Sequence, residues 1–143
     1  MKETLKFKKL SENSYPPEKK RSSDSGYDVY AVEFEPVNER EGIYFADMKL
    51  AIQPPEGWYF ELIGRSSLPL NNLHFLGGVG VIDKTYTGSI KMLVQKIESS
   101  KPLPELPFKC GQLIPRQFAH FETINVDELD DTERGTDGFG STD

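Results

Sequence analysis

Residues 77–88, GGVGVIDKTYTG, combine a glycine-rich apolar run with one carboxylate and one aromatic hydroxyl. Because glycine lacks a Cβ, the main-chain N–H and C=O groups of such a run can closely approach a flat ligand. The run ends at Asp83, and Tyr86 follows it in the same turn. The pattern therefore suits recognition of a base beside a reacting centre. An ordinary hairpin with Asp83 and Gly88 as turn residues explains it more simply.

Three other segments carry groups that suit phosphate oxygens. Residues 64–68, GRSSL, offer a guanidinium, two hydroxyls and main-chain amides. Arginine binds phosphate bidentately, and small residues let amides form an anion-binding concavity. A polar turn with serine as helix N-cap is the alternative. The second segment surrounds Gln112. The third is the tail, which includes Arg134, Ser141 and Thr142. Together with the glycine-rich run, they predict a nucleotide site.

A bound triphosphate would give Asp83 a chemical role. Attack of water on phosphorus requires a base that aligns and deprotonates the water, and a divalent metal that neutralises phosphate charge. Mg²⁺ is held mostly by phosphate oxygens and waters, with few protein carboxylates. Asp28, in residues 24–28 (DSGYD), is a candidate for its outer shell. An acid at a strand edge with no metal role explains Asp28 equally well.

Motifs of several other site classes are absent from the sequence. No G-x-x-x-x-G-K-[ST] run is present, which excludes a P-loop. Asp83 stands where a dinucleotide fingerprint that begins at Gly78 requires its third glycine. His74 and His120 are far apart and lack Cys or Glu at ligand spacing, which argues against structural zinc.

Composition indicates one soluble intracellular domain of 143 residues. A net charge of -6 argues against binding to nucleic acid or to an anionic membrane. The single cysteine, Cys110, lies in a mostly apolar run, so we expect a buried structural thiol and a reducing compartment. The charged N-terminus is not a secretory signal, and no apolar run has membrane-spanning length. We expect the protein in the cytoplasm or nucleus.

Short β-type runs separated by Gly, Pro, Asn and Asp predict an all-β sandwich or jelly roll. Within one run, Ile90, Met92 and Val94 alternate with polar residues, as in a half-buried strand. The only helical signal is a short turn over residues 66–73. We expect a β domain of residues 1–129 followed by a flexible C-terminal arm of residues 130–143. The predicted strands are residues 5–10, 27–34, 42–52, 57–63, 78–82, 89–97 and 112–123.

Five segments, in this order, resemble the five motifs of the trimeric dUTP pyrophosphatases (dUTPases). The similarity spans roughly residues 5–143, and the third and fifth motifs are the most specific. It implies a jelly-roll or distorted β-barrel subunit with one short helix. It also implies a homotrimer with active sites at subunit interfaces, each closed by the tail of a third chain. The five segments are residues 25–29, 65–68, 80–88, 111–114 and 134–142.

The resemblance implies a role for each candidate residue in hydrolysis of dUTP to dUMP and pyrophosphate. This reaction limits uracil in DNA and supplies dUMP for dTMP synthesis. Asp83 would orient the water that attacks the α-phosphorus, and Asp28 would hold Mg²⁺ through waters. Tyr86 would pack on the deoxyribose and exclude a 2′-hydroxyl. The residues expected to contact uracil are Gly78, Gly80, Val81, Ile82 and Phe139. Those expected to contact the phosphates or close the site are Arg65, Ser66, Ser67, Gln112, Arg134, Gly140, Ser141 and Thr142.

The sequence departs from the family pattern at several positions. Gly64 stands where the second motif usually has proline, and Ser67 where it usually has glycine. Lys109, Cys110 and Gly111 replace the usual Arg-Ile-Ala before Gln112, so the planar guanidinium fork is lost. Asp143 stands where the fifth motif usually has its last glycine. Its carboxylate would repel a triphosphate unless it points away.

Two other functions are compatible with the same scaffold. The related dCTP deaminases often carry Arg-Ser-Ser in the second motif, but they need a further carboxylate on a later strand. Residues 90–95, IKMLVQ, contain no acid, so a deaminase ranks below a dUTPase. A non-catalytic dUTP-binding regulator is the second alternative. The joint presence of Asp83, Tyr86, Arg134 and Phe139 argues against such a decayed site.

Overall fold

Ten β-strands and one 3-10 turn form the regular structure of residues 2–140, the part of the chain that the computed structural model describes. The short helix predicted over residues 66–73 is this single turn, Pro69–Asn71. The strands are β1 (Lys6–Lys9), β2 (Tyr27–Ala31), β3 (Glu33–Pro36), β4 (Ile43–Asp47), β5 (Leu50–Gln53), β6 (Trp58–Gly64), β7 (Leu73–Phe75), β8 (Val79–Ile82), β9 (Lys91–Lys96) and β10 (Phe108–Gln117).

The strands form two four-stranded antiparallel sheets and one two-stranded pair. The first sheet has the order β2-β10-β6-β8, the second has the order β3-β4-β9-β7, and β1 pairs with β5. The sheets remain open and do not close into a continuous barrel. The predicted all-β, jelly-roll-like class is confirmed.

Side chains from both four-stranded sheets form one buried core. Val29, Leu62 and Leu113 come from the first sheet, and Met92 and Val94 come from the second. All five are almost fully removed from water. Because successive strand residues point to opposite faces, β9 buries Met92 and Val94 and leaves its polar residues outside, as predicted.

Two predicted strands are each divided between two sheets. The run 27–34 breaks at Val32, where the chain leaves β2 for β3 of the other sheet. The run 42–52 breaks after Asp47, where Lys49 has a left-handed φ of 48°. Neither break contains glycine or proline, so the usual sequence signal of a turn is missing. The strand predicted over residues 112–123 is wrong in its bounds, because β10 begins at Phe108 and ends at Gln117. The sequence analysis did not predict β7.

The hairpin interpretation of residues 77–88 is wrong. β8 pairs with β6 in the first sheet, whereas β9 pairs with β4 and β7 in the second. Residues 83–90 therefore cross from one sheet to the other. Ile82 and Ile90 are both buried at the two ends of this crossing, which fixes it to the core.

Candidate active site

Asp28, Arg65 and Gln112 lie together at one end of the first sheet. β10 runs between β2 and β6, so Gln112 faces Asp28 on one side and Ile63 on the other. Arg65 follows β6 directly, and its main-chain N–H donates to the Cys110 carbonyl at 3.1 Å. Because neighbouring strands lie about 4.8 Å apart, these three residues border one surface.

Residues 65–68 form a tight turn at this end of the sheet. The Leu68 N–H donates to the Arg65 carbonyl at 3.0 Å, and the Asn71 side chain donates to the Ser67 carbonyl at 3.0 Å. Ser66 is exposed and Ser67 is half-buried. A Cβ at Gly64 would come 2.5 Å from Leu68 Cδ1, so the turn packs where a larger residue would crowd it. The turn holds the Arg65 and serine side chains at the surface.

The cations near this surface differ in what they contact. Lys109 Nζ lies 3.5 Å from Asp28 Oδ2, and Arg116 Nε donates to Glu61 Oε1 at 2.7 Å. The exposed Arg65 guanidinium makes no hydrogen bond or ion pair with any residue of the described part. Arg65 is thus the cation here whose side chain is available to an anion.

Gly26 provides the space for the Gln112 side chain. A Cβ at Gly26 would lie 2.1 Å from Gln112 Oε1 and 2.8 Å from Ile114 Cδ1. The amide therefore packs directly on the main chain that leads to Asp28. The first and fourth sequence segments are in this way brought into contact.

The buried Cys110 is not a nucleophile. Burial raises the pKa of its thiol to about 12, so the thiol stays protonated at neutral pH. Its Sγ lies 3.9 Å from the Val29 carbonyl inside the core. The predicted structural thiol is confirmed.

Asp83 and Tyr86 close a four-residue turn after β8. The Tyr86 N–H donates to the Asp83 carbonyl at 3.0 Å. Lys84 Nζ lies 2.8 Å from Glu56 Oε2, and this hydrogen bond lowers the pKa of the Glu56 carboxyl. The Asp83 carboxylate is exposed and makes no hydrogen bond or ion pair within residues 2–140. The turn thus presents a carboxylate to solvent with Lys84 engaged elsewhere.

The Tyr86 ring is held in place while about half exposed. Its hydroxyl donates to the Ser89 carbonyl at 2.7 Å. A Cβ at Gly88 would lie 2.6 Å from the Tyr86 hydroxyl oxygen, so the ring lies against the glycine main chain. The sequence analysis did not predict that Gly88 and Ser89 hold the Tyr86 ring. The Tyr-x-Gly spacing of residues 86–88 was the available signal for Gly88.

β8 is an edge strand whose outer main chain has no strand beside it in the described part of the chain. Val79 and Val81 point outward, whereas Ile82 enters the core. Gly78 has a φ of 76° with open space around it, and a Cβ at Gly80 would come 3.2 Å from Leu62 Cβ. Gly80 thus serves packing on β6, and the strand edge remains open to a ligand.

Asp83 and Arg65 lie at opposite ends of the same sheet. Val79 pairs with Ile63 near Arg65, whereas Ile82 pairs with Phe60. With about 3.3 Å per residue, the five positions from Phe60 to Arg65 separate Ile82, where the turn of Asp83 begins, from Arg65 by about 16 Å along the strand. One chain by itself does not bring the carboxylate of the turn to the phosphate-suited residues.

The described part of the arm is exposed apart from the half-buried Gly138. After β10, residues 118–140 form no strand. Arg134 Nε donates to the Asp137 carbonyl at 2.7 Å within the arm, and Phe139 is fully exposed with a φ of 51°. Gly140 is also exposed, and Ser141, Thr142 and Asp143 lie outside the described residues.

Neither a metal cage nor a membrane-spanning helix occurs within residues 2–140. No group of three or more His, Cys, Asp or Glu side chains converges as a metal cage within residues 2–140. None of the helical structure described is long and apolar enough to cross a bilayer.

Comparison with known proteins assigns the family. The family model described as dUTPase matches residues 12–143. The chain belongs to the dUTPase family. The probable deoxyuridine 5′-triphosphate nucleotidohydrolase of Schizosaccharomyces pombe is 37% identical over 139 residues, which cover 94% of each chain. The deoxyuridine 5′-triphosphate nucleotidohydrolase of Mus musculus is 32% identical, over 97% of this chain and 85% of the mouse protein.

A solved dUTPase structure shares this fold. The Staphylococcus bacteriophage 80alpha dUTPase with dUpNHpp superposes with a TM-score of 0.74 at 25% identity. The superposition covers 96% of this chain and 97% of the phage chain. This chain therefore has the same fold as that phage dUTPase.

Gly111 is expected to be intolerant of alanine. A Cβ at this position would lie 2.5 Å from the Ile63 carbonyl oxygen, a main-chain atom, and 2.9 Å from Met92 Cε. Gly111→Ala should lower the free energy of unfolding by about 1–3 kcal/mol, because strand β6 must shift. Urea unfolding measures this. Gly138→Ala, whose Cβ would meet only Arg134 Nη2 at 3.4 Å, should leave the midpoint unchanged. Equal midpoints for both variants would contradict the clash.

Proposed function

We propose that this chain hydrolyses dUTP to dUMP and pyrophosphate by attack of water on the α-phosphorus. The observation that carries the proposal is the turn in which the exposed Asp83 carboxylate stands beside the fixed Tyr86 ring. A dUTPase-family chain that has retained both groups, with neither consumed by a structural ion pair, keeps the means to position a water next to a nucleotide.

The base and sugar would be recognised by β8 and Tyr86. The open edge of β8 offers main-chain donors and acceptors from Gly78 to Ile82, which suits the flat edge of uracil. Tyr86 would pack on the deoxyribose. Because its ring is fixed by Gly88 and Ser89, it cannot yield to a 2′-hydroxyl without losing those contacts. Discrimination against UTP follows from this rigidity.

The phosphates would lie on the surface of Arg65, Ser66, Ser67 and Gln112. On this surface Arg65 is the cation whose side chain makes no hydrogen bond or ion pair within residues 2–140, and its planar guanidinium suits phosphate oxygens. Ser67 carries a hydroxyl where relatives have glycine, which we assign to donation toward a phosphate oxygen. The Gln112 amide, held against Gly26, would donate beside it.

Asp28 fits magnesium as a ligand through water, not as a direct ligand. Its carboxylate is partly exposed and stands alone, without the further acids of a protein-built cage. Lys109 Nζ at 3.5 Å already balances its charge, which disfavours direct coordination. When bound, Mg²⁺ would neutralise the phosphate charge. Asp83 itself would align the attacking water and accept its proton.

We further propose that the active form is a homotrimer whose sites combine residues from different copies. Asp83 and Arg65 of one chain lie about 16 Å apart along the sheet. A water held by Asp83 would therefore be too far from phosphates bound by Arg65 of the same chain. Phe121, Ile124 and Leu129, which lie between β10 and the arm, are each more than three-quarters exposed. Apolar groups in that number suit contact with another copy. A light-scattering mass near three subunits supports this assembly, and a fully active monomer contradicts it.

The residues beyond 129 would act as a separate closing arm. In that role Arg134, Ser141 and Thr142 contact the terminal phosphates, while Phe139 stacks on uracil and Gly140 permits the approach. The reaction would limit uracil in DNA and supply dUMP for dTMP synthesis. The single, buried Cys110 suits a reducing compartment such as the cytoplasm or nucleus.

Removing residues 134–143 is expected to lower kcat/KM for dUTP by about 100-fold, because base stacking and an arginine contact are lost. The melting temperature should stay the same, since Arg134 bonds only within the arm and Phe139 is fully exposed. Glu128→Gln, a substitution of an exposed residue just before the arm with no assigned role, serves as the control. Unchanged turnover in the shortened chain would refute the closing role.

A substrate panel tests the proposed function. Pyrophosphate and ammonia release are measured for dUTP, dTTP, dCTP and UTP with Mg²⁺. The proposal predicts pyrophosphate from dUTP with strong preference over the other three. Ammonia from dCTP would favour the deaminase alternative, although β9 contains no acid. Binding of dUTP without any product would favour a non-catalytic regulator.

A further inference from the structure

We propose that the buried Asp47 is a positioning residue that fixes Tyr86 through Ser89 and thereby sets discrimination between dUTP and UTP. This inference rests on the proposed function, because it requires Tyr86 to contact the sugar. Asp47 lies at the end of β4 in the second sheet, outside all the motif segments. Its connection to Tyr86 passes through two hydrogen bonds.

Asp47 is a charged residue inside the protein, with 1% of its surface exposed. Its Oδ1 accepts hydrogen bonds from the Lys49 N–H at 2.8 Å and from the Ser89 hydroxyl at 2.5 Å. Its Oδ2 has no hydrogen-bond donor within residues 2–140. A carboxylate in such a place costs folding free energy unless it is compensated, so its presence calls for a reason.

Two lysines compensate the buried charge from the surface. Lys49 Nζ lies 3.6 Å and Lys91 Nζ 3.9 Å from Asp47 Oδ2. These distances allow attraction but exceed hydrogen-bond length. The directional bonds of this carboxylate are therefore the two at Oδ1. Charged acceptors form stronger hydrogen bonds than neutral ones, which makes Asp47 an effective anchor for Ser89.

Ser89 transmits this anchor to Tyr86. The Ser89 side chain is bound to Asp47, and the carbonyl of the same residue accepts the Tyr86 hydroxyl at 2.7 Å. On the other side, the Tyr86 ring lies against Gly88. Residues 83–89 cross between the two sheets without strand pairing of their own. Main-chain bonding begins again at Ile90, whose N–H donates to the Leu50 carbonyl at 2.8 Å, and the Ser89 hydroxyl adds a side-chain bond to Asp47. Without the Asp47 bond, the Ser89 carbonyl that holds the ring keeps only the main-chain bond of its peptide unit, from the Ile90 N–H to Leu50, and loses its side-chain anchor.

Ser89→Ala removes the hydrogen bond from the Ser89 hydroxyl to Asp47. It keeps the Ser89 carbonyl and the turn at Asp47. The ratio of kcat/KM for dUTP to that for UTP is expected to fall about five- to tenfold, the size of one lost hydrogen bond. Ser14→Ala is the matched control. The Ser14 hydroxyl is also buried and also bonds the β4–β5 link, at the Lys49 carbonyl, but it does not touch Ser89. Ser14→Ala should leave the ratio unchanged. An equal fall in both variants, or in neither, would overturn the proposal.

A double-mutant cycle separates this inference from the proposed function. Tyr86→Phe breaks the same chain of contacts at the hydroxyl, so combining it with Ser89→Ala should lower the ratio no further than the larger single effect. Fully multiplicative effects would show that Ser89 acts on something else. Tyr86→Ala checks the premise. If it leaves the dUTP to UTP ratio unchanged, Tyr86 does not discriminate the sugar and the proposed role of the ring fails first.

Discussion

Asp83→Asn is expected to reduce turnover of dUTP by about 10²–10⁴-fold or more while dUTP binding stays measurable. The carboxamide keeps the size of the side chain but cannot accept the proton of the attacking water. No stability should be lost, because the Asp83 carboxylate makes no bond within the described chain and is exposed. Pyrophosphate release gives the turnover, and titration calorimetry with dUTP gives the binding.

Glu56→Gln is the matched control for this substitution. Glu56 is an exposed acid next to the same turn, and it is paired with Lys84. Its loss should change turnover by no more than a few-fold, since surface ion pairs contribute little. If Asp83→Asn instead loses fold and binding together, Asp83 is a structural turn residue and the proposed mechanism is wrong.

Two inactive variants are expected to restore activity when they share one assembly. Asp83→Asn leaves Arg65 intact, and Arg65→Ala leaves Asp83 intact. Because the two residues lie about 16 Å apart in one chain, a shared site takes them from different copies. Random mixing of equal amounts should then give about a quarter of the sites both native groups. The variants are unfolded, mixed and refolded together, and pyrophosphate release is compared with each variant refolded alone.

A second mixture controls for nonspecific recovery. Arg65→Ala and Gln112→Ala alter the same end of the first sheet, where Gln112 lies one strand from the end of β6. No site assembled from these two variants contains both native residues if they act from one chain. This mixture should stay inactive. Recovery here, or its absence in the first mixture, would contradict a site divided between Asp83 and Arg65.

Local patterns in the sequence were sufficient for the fold class and for the turn that follows β8. Alternation in β9 predicted which side chains are buried, because that period belongs to a strand with one face on the core. The combination of acid, tyrosine and glycine at residues 83–88 predicted a turn that exposes chemical groups. The structure has such a turn, with the Tyr86 N–H bonded to the Asp83 carbonyl.

The arrangement of these residues in space could not be predicted in the same way. The chain changes sheets at Val32 and after Asp47 without glycine or proline, because pairing partners far away in sequence decide where a strand ends. The distance between Asp83 and Arg65 depends on the register of β6 with β8, which no local pattern encodes. The bond from Asp47 to Ser89 joins residues 42 positions apart. Such contacts follow from packing of the two sheets.

Hydrolysis in water enriched in ¹⁸O tests the central claim most directly. If water oriented by Asp83 attacks the α-phosphorus, one ¹⁸O enters dUMP and the released pyrophosphate stays unlabelled. Mass spectrometry of the two products after a single turnover distinguishes the positions. Label in dUMP is the result that we expect. Label in pyrophosphate would place the attack on the β-phosphorus and contradict the mechanism.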